Sequence, residues 1–178
     1  MTLPDQLTVL RVAAVPVVVL LYAWDFDNHA YWATTIFVLA MATDQVDGWL
    51  ARRRGQSSQL GKLLDPVADK VLVLAALVML VGEGVAPSWM VALIVVREIL
   101  VSGLRLAALE RGVVLGARDL GRVKTWAQAV AATIAGYAAA GAWGDDVAWW
   151  ALLIALIATW ISGLDYARVA PRLLRGRA

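Results

Sequence analysis

Six stretches of mostly apolar residues, each about as long as the roughly 20 that a helix needs to cross a bilayer, take up most of this 178-residue chain. They lie at about 7–24, 30–50, 63–81, 87–109, 123–142 and 147–169. The connections between them are too short to hold a soluble second domain. With 61% hydrophobic residues and a mean hydropathy of +0.71, the chain has more apolar surface than a soluble domain of this size can hide, so lipid must solvate much of it. The spacing predicts an all-α, polytopic membrane protein with six transmembrane helices, built as one integral-membrane domain over residues 1–178. The first run exceeds signal-peptide length and is read as a retained helix. Pro16 is expected to bend it, with neighbouring helices satisfying the freed carbonyl.

Charge alternates along the connections. Asp25 and Asp27 follow the first span, Glu83 the third, and Asp145 and Asp146 the fifth, and none of these turns contains Lys or Arg. The opposite connections carry Arg52, Arg53, Arg54 and Lys62, then Arg105, Arg111, Arg118, Arg122 and Lys124. The tail adds Arg168, Arg172, Arg175 and Arg177, suited to holding the last helix against anionic lipid. The positive-inside rule then puts both termini and both basic loops on the cytoplasmic side, as an even number of spans requires. Trp24, Trp32, Trp89, Trp143, Trp149 and Trp150 gather at the other ends of the spans, as an aromatic belt does. The loop 52–62 is polar and expected to be partly helical. His29 reads as an ordinary loop residue. Membrane lipid is the expected surrounding, and no nucleic-acid partner is expected.

The chemistry rests on carboxylates. With no cysteine and a single histidine, any metal held by several side chains must sit on oxygen, which favours magnesium, manganese or calcium over zinc. Asp at a membrane helix centre costs roughly 2.5–3.5 kcal/mol, so intramembrane acids are functional candidates. Asp44 and Asp47 lie toward the cytoplasmic end of the second span, and Asp65 and Asp69 open the third. Asp44, Asp47, Gly48, Ala51 and Arg52 fall at i, i+3, i+4, i+7 and i+8, one face of a helix. Gly61, Asp65 and Asp69 form a second stripe at i, i+4 and i+8. A short turn joins the two helices, so the stripes can meet. Four converging carboxylates repel one another unless one or two magnesium ions join them. Gly48, Ala51 and Gly61 let a bulky ligand approach the backbone, Arg52 suits a diphosphate, and Ser58 can donate to the same ligand. Pro66 fits the first turn of a helix. A lone Asp near a helix end is usually a cap, and spaced small residues usually mark helix packing. Four Asp on two facing stripes, interleaved with Gly and Arg, are not explained that way.

These residues carry a resemblance. Asp44-x2-Asp47-Gly48-x2-Ala51-Arg52-x8-Gly61-x3-Asp65-x3-Asp69 is similar at all eight positions to the signature of the CDP-alcohol phosphotransferase family. The resemblance implies that family's fold of six membrane helices with cytoplasmic termini, in a bacterial cytoplasmic membrane. It implies a two-metal site (Mg2+ or Mn2+) on Asp44, Asp47, Asp65 and Asp69, with CDP-lipid bound beside Gly48, Ala51, Arg52 and Gly61. It also implies Asp69 as general base, and a homodimer. Within the family, the chain most resembles bacterial members that join CDP-diacylglycerol to glycerol 3-phosphate. The segments that carry this are residues 64–70, 97–100 with Arg105, 121–125, and the opening 3–11. Asp5 stands where that opening usually has Asn, so a nucleotide contact made by the Asn does not carry over. Arg122 stands where Lys is typical, which keeps the charge and changes the geometry.

An acceptor with its own phosphate needs cations away from the metals. Arg97, Arg105, Arg122 and Lys124, on the cytoplasmic side of the fourth and fifth spans, are the candidates. Arg105, Arg122 and Lys124 also satisfy the positive-inside rule without further purpose. Arg97 lies inside an apolar run and either pairs with Glu98 or another buried acid, or faces the ligand cavity, which is favoured. Lys70 can simply balance Asp69. The cations argue against serine as acceptor but do not separate glycerol 3-phosphate from inositol phosphate, and phosphatidylglycerol is a third alternative. Outside this chemistry, a small divalent-cation transporter would place its acids near the midplane on broken helices in related halves, a pattern absent from this sequence.

Overall fold

A computed structural model of the chain describes residues 3–54, 59–110 and 119–175, with side-chain surroundings for 10–43, 70–108 and 121–168. The described residues form six helices and no strand: α1 (Leu3–Ala23), α2 (His29–Arg54), α3 (Gln59–Gly82), α4 (Ser88–Glu110), α5 (Asp119–Ala139) and α6 (Asp145–Arg175). The order and number match the six apolar runs, and α1 continues through Pro16. At the basic end of the molecule the helices outrun the apolar stretches: α2 extends to Arg54, α3 starts at Gln59, α5 starts at Asp119, and α6 reaches Arg175. Hydropathy stops where the bilayer would stop, whereas Arg, Lys, Gln and Leu propagate a helix well beyond it. Among the described residues, Asp145–Arg168 is the one helical stretch long and apolar enough to cross a membrane by itself, with shorter apolar stretches at Leu10–Ala23 and Lys70–Gly82. In α4 the apolar run is interrupted by Arg97, Glu98 and Arg105.

Helix α5 lies at the centre, packed most closely on α6 and also against α2 and α3. Its buried face is Ala131, Ala132, Ala135 and Ala138, small side chains that bring helix axes close. Gly136 extends this closeness: a Cβ there would stand 2.2 Å from Thr34 Oγ1 and 2.8 Å from the Tyr22 hydroxyl. Those two side chains hydrogen-bond across α1 and α2 at 2.9 Å. Helix α1 packs on α2 and α3, and α4 packs on α6 and, more lightly, α3. Phe37, Leu72, Leu77, Leu80, Met90, Ile94 and Leu152 fill the interior.

The turns at the acidic end are tight. Helix α5 closes with Gly141 at φ 79°, the Gly141 amide donating to the Ala138 carbonyl and the Ala142 amide to that of Tyr137. That is the pattern of a glycine-terminated helix. Asp145 and Asp146 then occupy the first turn of α6, where the helix dipole favours acids. At the same end, His29 Nε2 lies 3.2 Å from both carboxylate oxygens of Glu83 and its Nδ1 lies 3.1 Å from the Phe26 carbonyl, tying the start of α2 to the end of α3. His29 is thus more than a loop residue. Tyr137 packs nearby against a tilted Tyr31 and edge-on against Trp143, with centroid separations of 5.7 and 6.1 Å.

Candidate active site

The opposite, basic end assembles polar groups from four helices. Glu98 of α4 is 3% exposed, and three donors meet on its Oε1: Arg97 Nη1 at 2.9 Å, Gln128 Nε2 at 3.2 Å and Lys124 Nζ in a short contact. The other end of the Arg97 fork, Nη2, donates to Ser162 Oγ of α6 at 2.9 Å. Gln128 Nε2 also reaches Thr159 Oγ1 at 2.8 Å. Arg97, Lys124, Gln128, Thr159 and Ser162 are all buried. Helix pitch explains how they gather: Lys124 and Gln128 are four apart on α5, and Thr159, Ser162 and Tyr166 fall at i, i+3 and i+7 on α6. Buried charges persist only when paired and hydrogen-bonded, and this cluster sets two cations against one carboxylate.

Two turns further along α4, Arg105 Nη2 donates to the Tyr166 hydroxyl while its guanidinium carbon lies 4.7 Å from the centre of that ring. The same hydroxyl stands 3.6 Å from where a Cβ on Gly121 would be, so the ends of α4 and α6 meet the start of α5. Arg122, in the first turns of α5, is exposed.

Helix α3 joins this cluster through Lys70, whose Nζ donates to Ser102 Oγ of α4 at 2.6 Å. Ser102 lies four residues after Glu98 and three before Arg105. Lys70 directly follows Asp69 in the chain, so the contact sets the α3 stretch that bears Asp65 and Asp69 beside the basic stretch of α4.

Asp44, Asp47, Gly48, Ala51 and Arg52 all lie in the last part of α2, and Gly61, Asp65 and Asp69 in the first part of α3. Both helical stretches therefore open toward the same short connection. The side chains of these residues and of Asp5 lie outside the described residues, as do Ser58 and Gly116 altogether. The four cations anticipated for an acceptor phosphate are distributed unevenly. Arg97 pairs with Glu98 and Ser162 in place of the cavity-facing position that the sequence favoured, because a buried guanidinium takes the nearest carboxylate, and Lys124 shares that carboxylate. Arg105 sits with Tyr166. Glu98, Gln128, Ser162 and Tyr166 were not singled out from the sequence as site residues. Their signal was polar groups at helical spacing inside apolar runs.

The α3 stretch whose sequence bears Asp65 and Asp69 runs up to Lys70, which meets α4 among buried and half-buried cations, a kind of surrounding suited to phosphate esters. The chain belongs to the CDP-alcohol phosphatidyltransferase family, whose model matches residues 1–161. It is 42% identical over 141 residues to CDP-diacylglycerol–glycerol-3-phosphate 3-phosphatidyltransferase of Bacillus subtilis, covering 72% of this chain and 73% of that one. It is 34% identical over 173 residues to the protein of the same name from Rickettsia bellii, covering 96% of each. It is 41% identical over 135 residues to the one from Escherichia coli, covering 72% of this chain and 73% of that one.

Proposed function

We infer that this enzyme transfers the phosphatidyl group of CDP-diacylglycerol to glycerol 3-phosphate, giving phosphatidylglycerophosphate and CMP. The family supplies the reaction class, and the names of the relatives supply the two substrates. The observation that carries the reading to these residues is the Lys70–Ser102 contact, which adjoins the carboxylate-bearing helix to the cation-bearing one. Asp44, Asp47, Asp65 and Asp69 are the residues that would hold one or two magnesium or manganese ions, a hard oxygen donor set that suits them. When bound, such ions neutralise charge on the diphosphate and on the departing CMP.

The chain's own residues do the rest. Gly48, Ala51 and Gly61 leave room for the nucleotide, and Arg52 and Ser58 donate to the diphosphate. Lys124, Arg105 and Arg122, with Arg97 behind them, hold the acceptor's phosphate, each charge-assisted contact contributing about 1.5–3 kcal/mol. The acceptor hydroxyl oxygen attacks the phosphorus that bears diacylglycerol, the bond from that phosphorus to CMP breaks, and CMP leaves with the electron pair. Asp69 takes the hydroxyl proton as the attack proceeds, because a carboxylate is too weak a base to remove it beforehand.

The reaction belongs at the cytoplasmic face of a bacterial inner membrane, with six spanning helices and both termini on that side. Large aliphatic side chains support this by standing outward on helix after helix, among them Leu39, Val78, Ile99, Leu100, Val130, Ile154 and Ile161. Water does not favour such a surface, whereas lipid does. A homodimer is the expected assembly. Purified enzyme given CDP-diacylglycerol and a panel of acceptors should release CMP with glycerol 3-phosphate in a magnesium- or manganese-dependent manner. Release with inositol phosphate or phosphatidylglycerol in its place would move the reading to another acceptor.

A further inference from the structure

The mechanism above gives Glu98 no part, yet more of the cytoplasmic-end hydrogen bonds pass through this residue than through any other described there. Its Oε1 takes donors from α4 and from two positions on α5, and Arg97 and Gln128 extend the same network to Ser162 and Thr159 of α6. Arg97 is held at both ends of its fork and packed closely against Gly163. One end of its fork is on Glu98, the other is on Ser162, and its Nε lies 3.0 Å from where a Cβ on Gly163 would be. A guanidinium enclosed in this way has little freedom to turn toward a ligand. Lys124 differs: an ammonium has three N–H donors, and among the described residues Glu98 takes one of them.

We propose that Glu98 and Arg97 are positioning residues for the acceptor. Ser162 fixes Arg97, Arg97 and Gln128 fix the Glu98 carboxylate, and Glu98 aims the Lys124 ammonium at the acceptor's phosphate. The inference rests on the reading of the acceptor site given above and divides its cations into one that touches the ligand and one that acts through a carboxylate. A lysine on a flexible four-carbon stem is a poor phosphate ligand unless something holds it. Glu98 holds it by hydrogen bond and by charge, and it leaves the trio of Arg97, Glu98 and Lys124 with one surplus positive charge for the incoming anion. Without Glu98, two buried cations repel each other and separate. With a shortened carboxylate the charge remains but the ammonium is drawn back by about one bond length, and an error of about 1 Å in placing a group is already costly.

The test uses full-length enzyme in lipid nanodiscs with CDP-diacylglycerol and glycerol 3-phosphate, measuring KM for each and kcat. Lys124→Ala should raise the glycerol 3-phosphate KM roughly ten- to a hundredfold and leave the CDP-diacylglycerol KM unchanged. Glu98→Gln and Glu98→Asp should each raise the same KM about tenfold, again without moving the CDP-diacylglycerol KM. In the Lys124→Ala background, Glu98→Gln should add less than about twofold, because its effect passes through Lys124. A purely structural Glu98 would lower the yield of folded enzyme and disturb both substrates alike. If Glu98→Gln does not fold, Glu98→Asp, which keeps the charge balance, carries the test. The inference is overturned if Lys124→Ala raises the glycerol 3-phosphate KM while Glu98→Asp leaves it at the wild-type value. It is equally overturned if the Glu98→Gln and Lys124→Ala effects multiply in full. If Lys124→Ala leaves that KM unchanged, the acceptor-site reading itself fails, and the positioning role falls with it.

Discussion

Asp69 and its three companion acids stand out by spacing alone, because a carboxylate inside an apolar run carries a cost that a function would offset. Their roles separate by substitution. Asp44→Asn, Asp47→Asn and Asp65→Asn should each lower kcat/KM by several orders of magnitude and weaken the response to added magnesium, since a small site that loses one anionic ligand holds its cation poorly. Asp69→Asn should instead lower kcat by roughly 10²–10⁴ while CDP-diacylglycerol binding largely survives on the other three acids. Steady-state kinetics across a magnesium titration, with binding of the CDP-lipid measured separately, distinguishes the two patterns. Near-normal turnover by Asp69→Asn would assign the proton to another group. Glu98 shows the limit of reading single residues. A Glu beside an Arg in an apolar helix reads as a simple pair, and nothing local reveals that Lys124, 26 residues on, binds the same oxygen.

At the scale of helices, two contacts decide how the elements lock. The first is the close approach at Gly136. Gly136→Ala would press a methyl group into Thr34 and Tyr22, breaking their hydrogen bond or pushing α5 away from α2. The expected cost is about 1–3 kcal/mol of stability, seen as a lower Tm of the solubilised enzyme. Thr34→Ala in the same chain should recover part of it by making room for the methyl. The second contact is the His29–Glu83 clamp between the two acidic-end turns. Burial disfavours charge on the imidazole, but the Phe26 carbonyl and the Glu83 carboxylate outweigh it, so the His29 pKa lies above its ordinary 6.5. A raised folded pKa means that the clamp's contribution is fully present below about pH 6.5 and is lost as pH rises through the folded value. The Tm difference between wild type and His29→Gln should therefore be largest in mild acid and fade in alkali. A difference that grew with pH would show that the clamp works through the neutral ring.

For the molecule as a whole, the question is orientation. Basic residues gather at one end of the six helices and acids with exposed tryptophans at the other, which predicts the site end in the cytoplasm. The natural chain has no cysteine, so single cysteines report cleanly. Cysteines at Asn28 and Gly144 should react with an impermeant thiol reagent added outside intact cells, and those at Ser58 and Gly116 only after the membrane is opened. Labelling at position 58 from outside would invert the protein and place the substrates on the wrong side.

Helix number and order, the alternation of charged ends and the eight-position acidic signature were all determined by the sequence alone. Each is written in hydropathy or in helical spacing, which act over one or two turns. Helix ends were less legible, because α2, α3, α5 and α6 continue into charged segments that hydropathy assigns to loops. Only the tertiary structure decided the surroundings of the cations. Arg97 meets Ser162 across 65 residues of chain, Gln128 meets Thr159 across 31, and Lys70 meets Ser102 across 32. Such pairs depend on which faces α3, α4, α5 and α6 turn toward one another, which tertiary packing sets and no local pattern does. A buried cation must find its counter-charge wherever the fold brings one, so the sharing of Glu98 by Arg97 and Lys124 became readable only once the helices were placed.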